Sequence, residues 1–169
     1  MNMHEREAEQ LVDELTARIE VLTEVSDTSP PGVYLATTQS GAAYVIELMD
    51  PDRAPTVIRY HGDAHGKIHD TRSLPGVHGC RFNAQTGVGY IVWWKDSPAE
   101  YNDPTAPYVG TLRATSRVLL VGRIRDSAAT DSVEAVRLLR ELTALLEDPS
   151  LDYAGLVLRL LTPREGGAA

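Results

Sequence analysis

The chain is poor in the residues and segments that mark several protein classes. It has one cysteine, one phenylalanine and only two lysines beside fourteen arginines. A single cysteine excludes an intrachain disulfide and fits a reducing compartment. No apolar run approaches the ~20 residues that cross a bilayer, and the charged start MNMHEREAEQ lacks the apolar stretch of a signal peptide. We therefore expect a cytoplasmic protein that does not interact with a membrane.

Familiar catalytic signatures are missing as well. The sequence contains no GxSxG, P-loop, GxGxxG or HExxH segment. These motifs mark serine hydrolases, nucleotide-binding folds and zinc proteases. Catalysis is therefore the less favoured interpretation, and no catalytic residue, cofactor or metal ligand is predicted.

Negative charge is concentrated near the N-terminus. The formal net charge is -8, and residues 1–27 carry eight acids against two arginines, a local net charge of -6. Repulsion by phosphate makes such a chain a poor nonspecific ligand for nucleic acid. A protein is therefore the expected partner.

Residues 4–25 have the pattern of an amphipathic helix, with no glycine or proline inside. Such a helix has to bury its apolar stripe, either on its own domain or on a second copy of the chain. The second possibility predicts a homodimer. The stripe consists of Ala8, Leu11, Val12, Leu15, Ile19, Leu22 and Val25.

The rest of the pattern predicts an α+β fold in one domain, residues 1–169. It would comprise an N-terminal helix (1–27), a β domain (31–125) and a C-terminal helical hairpin (130–162) broken at Asp148-Pro149. Strands and helices do not alternate, which favours a curved antiparallel β-sheet or a small β-barrel. The strands are predicted from residue 33, at 43–48, 56–60, 88–94, 109–114 and 117–124, with one strand bent near Ser116 as the alternative for the last two.

Two segments carry a resemblance. The hairpin ATTQSGAAYVIEL (36–48) and the strand GTLRATSRVLLV (110–121) resemble segments of short, uncharacterised proteins of actinobacteria and their phages. In those proteins a Ser-Gly-x-x-Tyr hairpin opens a small β domain and a Thr-x-Arg-x-Thr-Ser strand closes it. The resemblance covers about thirty residues. It implies a β domain and an actinobacterial or phage origin, and it implies no activity.

The segment from Arg59 to Arg81 is the strongest candidate for a site. It holds four of the five histidines and the cysteine, namely His61, His65, His69, His78 and Cys80. On a helix, the spacing of four would align the first three histidines for a metal. Gly62 and Gly66 disfavour a helix, and four extended residues span ~13 Å, too far for one zinc ion. We therefore predict surface histidines and no stoichiometric zinc.

Two catalytic interpretations of this segment are weaker. His69-Asp70 is similar to the HD pair of metal-dependent phosphohydrolases, but those pairs lie on helices of an all-α fold. Cys80 precedes Arg81, which would lower a thiol pKa if the cysteine were exposed. Its neighbours instead predict a small, half-buried strand residue.

The tryptophans complete the candidate contact surface. Trp93 and Trp94 point to opposite faces of a strand, so on a sheet with one covered face only one enters the core. Trp and Arg are the residues that most often anchor interfaces. We therefore predict a protein-binding accessory, inhibitor-like or immunity-like protein, with a small anionic ligand such as a nucleotide as the alternative and a metal-dependent hydrolase as the third possibility. The predicted binding residues are Arg59, His61, His65, Lys67, His69, Arg72, Arg81, Trp93 and Trp94.

Overall fold

The computed structural model describes residues 3–60, 73–74, 76–93, 111–125 and 132–152, and in these ranges the fold is α+β. The helices are α1 (Met3–Arg18) and α2 (Ser132–Leu146). The strands are β1 (Ile19–Leu22), β2 (Glu24–Ser26), β3 (Gly32–Thr38), β4 (Ala43–Leu48), β5 (Thr56–Tyr60), β6 (Gly79–Asn83), β7 (Gly89–Trp93), β8 (Thr111–Ala114) and β9 (Val118–Ile124). In the described ranges, neither helix has the length and apolar character needed to span a membrane.

The strands form two antiparallel sheets. One has the order β1-β9-β3-β4-β5 and the other the order β2-β6-β7-β8. The chain passes from the first sheet to the second at Thr23 and returns between β2 and β3. It passes to the second sheet again between β5 and β6 and returns through residues 115–117. The antiparallel prediction is confirmed. The strands that the structure describes form two open sheets and no closed barrel.

The five-stranded sheet is the middle of three layers. On β3 and β4, Leu35 and Val45 pack with the helices, whereas Tyr34 and Tyr44 pack with the four-stranded sheet. A sheet that is covered on both faces needs apolar residues at successive positions. This requirement explains the unbroken apolar segments of β3 and β4.

The predicted N-terminal helix of residues 4–25 is wrong at its C-terminal end. Helix α1 stops at Arg18, and the residues that follow enter β1 and β2. Ile19 pairs with Ile124 of β9, and Val25 pairs with Phe82 of β6. Ile and Val fit strands better than helices. Apolar residues at helical spacing, such as Ile19 and Val25, can also lie on the inward face of short strands.

The apolar stripe of α1 is buried inside the chain. Ala8, Val12 and Leu15 are fully or almost fully buried and pack in one cluster with Leu139 and Leu142 of α2. The apolar stripe therefore does not need a second copy of the chain for its burial. Homodimer formation stays a prediction.

Two further differences concern segment boundaries. Residues 79–83 form β6, which was missing from the predicted strands, although Cys80 was predicted to be a strand residue. Residues 111–114 and 118–124 belong to different sheets, so they are two strands with an irregular corner between them. The predicted start of the C-terminal hairpin at residue 130 and the part of its second helix beyond Asp152 lie outside the described residues.

Candidate functional site

Three of the predicted binding residues fall within the described ranges: Arg59, Arg81 and Trp93. The others lie outside the described residues, namely His61, His65, Lys67, His69, Arg72 and Trp94. The three described residues and their neighbours form the described part of the candidate site.

The two described arginines are placed differently. Arg59 lies on β5 opposite Tyr44 and is 5% exposed. Arg81 lies on β6 in the other sheet and is exposed. The described part of the chain therefore does not bring these two arginines together in one basic surface.

Trp93 is a core residue. Its side chain is 4% exposed and belongs to the cluster between the two sheets, together with Phe82 and Ile91. The guanidinium carbon of Arg113 lies 4.7 Å from the centre of the indole ring, a cation–π contact. Trp93 therefore contributes to the packing between the two sheets.

The side chains of β7 that point away from the core are those of Tyr90 and Val92. Strand β7 alternates, with Gly89, Ile91 and Trp93 buried and the two intervening residues half-buried outside the inter-sheet cluster. Across the sheet, Tyr90 stands between Arg81 and Ala114, and Val92 stands between Gly79 and Leu112. The outward face of the four-stranded sheet is thus apolar on β7 and β8, with the aromatic ring of Tyr90 beside Arg81 of β6.

Two strongly exposed apolar residues extend this surface. Leu112 on β8 is 65% exposed, and Val88, which precedes β7, is 54% exposed. We call the set Val88, Tyr90, Val92, Leu112 and Arg81 the sheet patch. Tyr90, Val92 and Leu112 lie on the neighbouring strands β7 and β8, and Val88 comes directly before β7, so the apolar members form one continuous area.

Arg81 is held in position by the strand beside it. Its Nε and Nη2 donate to Oε2 of Glu24 on β2 at 3.0 and 2.7 Å, and the amide nitrogen of Asn83 donates to the same oxygen at 2.7 Å. These hydrogen bonds from Asn83 and Arg81 lower the pKa of Glu24. The guanidinium is therefore fixed before any partner arrives, which reduces the entropy lost on binding.

Gly89 determines which residues of β7 face outward. A Cβ at this position would lie 2.4 Å from Oγ1 of Thr115 and 2.7 Å from Cγ2 of Val118. Only glycine fits against the β8–β9 corner, so position 89 faces inward and Tyr90 faces outward. The sequence VGYIVWW does not reveal this because both alternating sets, Val88-Tyr90-Val92 and Ile91-Trp93, are apolar.

The described residues of this region do not support catalysis by the Cys80 thiol or a metal site. Cys80 is fully buried, and burial together with the charge of Asp27 raises the pKa of its thiol to about 12. The thiol is therefore protonated at neutral pH and shielded from substrates. His78 is exposed, with Nδ1 3.2 Å from the carbonyl oxygen of Gly76. Over the described ranges, no three His, Cys, Asp or Glu side chains gather in a group able to hold a metal ion.

Comparisons with protein-family models, with curated proteins and with solved structures find no match for this chain.

Proposed function

We propose that this protein is a non-catalytic interaction protein, of an accessory, inhibitor-like or immunity-like kind, that binds a protein partner through the sheet patch. The observation that supports this proposal is the outward face of the four-stranded sheet, where exposed Leu112 and Val88 flank Tyr90 and Val92. Its compartment would be the cytoplasm, where a single buried cysteine stays reduced.

The chemistry of the patch is that of interface centres. Tyr and Arg are enriched among the residues that contribute most to binding, and lysine and acids are depleted there. Arg81 lies directly across from Tyr90. A contiguous apolar area on a protein surface is also more often a contact site than isolated exposed residues are.

The size of the patch sets a limit on its role. Strands ~4.8 Å apart with ~3.3 Å per residue give the two apolar strands an area of only a few hundred Å². A standard interface buries about 800 Å² on each partner. The patch would therefore form the centre of a larger interface, with polar surroundings that exclude water.

The test uses charge insertion with a matched control. A variant with Leu112→Glu and Val88→Glu places two carboxylates in the patch. The control, Met49→Glu with Val133→Glu, makes the same change at residues that are 70% and 55% exposed elsewhere on the chain. Wild type and both variants would be immobilised, and proteins retained from a lysate of the source cells quantified by mass spectrometry.

A partner that the control retains and the patch variant loses is the expected result. Photo-crosslinking from a benzophenone side chain at position 112 should then join the chain to the same protein. Retention of every bound protein by the patch variant would overturn the proposal. A crosslink between two copies, together with a dimer mass in light scattering, would replace the foreign partner by a second copy of the chain.

A further inference from the structure

A groove of about 520 Å³ lies between α1 and α2. The two helices are antiparallel, since Arg18 at the end of α1 lies 3.7 Å from Glu134 in the first turn of α2. The groove is largely open to solvent along its length. Its walls come from both helices, so its shape depends on their packing and not on a loop.

The floor of the groove is apolar. Leu11 of α1 and Leu145 of α2 are partly buried and rest on the helix-side core, and Ala144 is exposed beside them. On α2, positions 144 and 145 lie on the same side as Glu141, one turn away. The floor is therefore a narrow apolar strip that follows the helix axes.

The polar rim consists of three carboxylates, Gln10 and Arg137. Glu7 and Glu14 border the groove on α1, and Glu141 borders it on α2. Arg137 forms ion pairs with Glu134 and Glu141 on α2. On α1, Oε2 of Glu7 lies 3.6 Å from Nδ1 of His4, and Glu14 accepts a hydrogen bond from Gln10 at 3.2 Å. Among the described residues, no lysine or arginine neutralises the α1 rim.

We propose that this groove binds a basic amphipathic helix of a protein partner. Leucine-type side chains on one side of that helix would pack on Leu11, Ala144 and Leu145, and lysine or arginine side chains flanking them would pair with Glu7 and Glu14. A helix laid into a groove between two helices is an established mode of recognition. An open apolar strip fits a row of side chains on a helix better than it fits a small molecule, whose binding sites are usually enclosed.

The charges select against other occupants. A second copy would bring the same acidic α1, with five acids and two arginines, against this rim. Anionic lipids and nucleic acid would be repelled in the same way. A basic helix is the occupant for which the rim provides complementarity.

This inference goes beyond the proposed function because the groove belongs to the helix layer and the sheet patch to the four-stranded sheet. The two surfaces share no residue. The two proposals are tested by different variants, so failure of one proposal does not affect the other.

The probe is an 18-residue fluorescein-labelled peptide of leucine and lysine whose leucines recur at helical spacing. A peptide of the same composition with the leucines scattered around the helix is the control. Fluorescence anisotropy with the full-length protein measures both affinities, and circular dichroism measures helix gained on binding. We expect the amphipathic peptide to bind at least about tenfold more tightly than the scattered one, because only it presents an apolar face.

The protein variants locate the site. Glu7→Gln with Glu14→Gln removes the α1 rim charges, and Glu9→Gln with Asp13→Asn removes two charges of the same helix that do not line the groove. Each exposed ion pair changes affinity by about 1.4- to 5-fold, so the rim variant, which loses two, should bind about 2- to 25-fold more weakly. Its matched control should stay near the wild-type affinity.

Ala144→Arg should abolish binding, since it fills the floor and adds a positive charge. Thermal melts of all variants would verify that the helices remain folded. Equal weakening by the rim variant and its matched control would overturn the groove as the site. Equal binding of the two peptides would also overturn it, because the attraction would then depend on charge alone.

Discussion

Replacement of Trp93 by alanine separates a core role from a contact role. The structure buries this side chain between the sheets beneath Arg113. A contact residue could be removed with little loss of stability, whereas a core residue could not. We expect Trp93→Ala to destabilise the protein severely.

The magnitude follows from the area that the indole buries. A tryptophan contributes about 150–250 Å², which at about 25 cal/mol per Å² corresponds to roughly 4–6 kcal/mol as an upper bound. Large-to-small changes of this kind cost about 3–5 kcal/mol. For a chain of this length, each kcal/mol lowers Tm by about 2–4 °C, so Tm should fall by roughly 6–20 °C.

The assay is guanidinium unfolding followed by far-UV circular dichroism, with calorimetry for Tm. Leu112→Ala is the control, because Leu112 is 65% exposed on the outward face of the same sheet, and it should change stability by less than about 0.5 kcal/mol. Trp93→Phe should cost less than Trp93→Ala, since it keeps a ring beneath Arg113. No acceptor for Nε1 of Trp93 is present in the described part of the chain, so phenylalanine loses no hydrogen bond there.

The outcome that refutes this reasoning is a loss below about 1 kcal/mol for Trp93→Ala, the range of ordinary surface substitutions. Such a result would put Trp93 on the surface. The assignment of inward and outward residues on β7 would then be reversed, and Tyr90 would lose its place in the sheet patch.

Three other results are expected. Gly89→Ala should cost about 1–3 kcal/mol in the same unfolding assay, because the new Cβ would lie 2.4 Å from Oγ1 of Thr115, and an unchanged midpoint would contradict the packing of this corner. Cys80 should react with a thiol reagent only as fast as the protein unfolds, and rapid labelling of the native protein would show that the thiol is exposed. Glu24→Gln should be less stable than wild type at neutral pH. The pKa of Glu24 is lowered in the folded state, so this difference should persist above the pKa of an unfolded glutamate and disappear as the pH falls through the lowered folded pKa; a difference that does not depend on pH would exclude the ion pair with Arg81 as its cause.

Much of the β region follows from local pattern. The hairpin of β3 and β4 could be predicted because Ser40-Gly41 interrupts two apolar segments, and Gly41 has the positive φ of 81° that such turns require. Strands β5 and β7 were predicted nearly at their observed bounds, since β-branched and aromatic residues concentrate there. These features depend on neighbours in sequence, which is why they could be read without the fold.

The boundary between α1 and β1 depends on distant residues. Ile19 to Leu22 pair with β9 more than ninety residues later in the chain. A Cβ on Gly122 would lie 2.4 Å from Cγ2 of Ile19, so glycine at that position is what lets β1 approach. Neither fact is visible in the apolar spacing of residues 4–25, which fits a longer helix equally well.

The candidate contact surface shows the same division. The sequence predicted that an arginine and an aromatic residue near β6 and β7 contact a partner. In the structure Arg81 and Tyr90 are cross-strand neighbours on the outward face of the four-stranded sheet. The sequence selected Trp93 and Trp94 as candidates, of which the fold buries Trp93, whereas Trp94 lies outside the described residues. Tyr90 was not selected, because the alternation of a strand tells which residues share a face and not which face is covered.

The amino-acid order thus sufficed for the elements whose apolar pattern matches a single local structure, including the antiparallel hairpins and the central part of α2. Three assignments required the folded chain: which face of the four-stranded sheet is covered, where α1 ends, and the groove between α1 and α2. Each of them depends on side chains far apart in sequence competing for the same space, and local propensities of about 1 kcal/mol per residue or less are overruled by that packing.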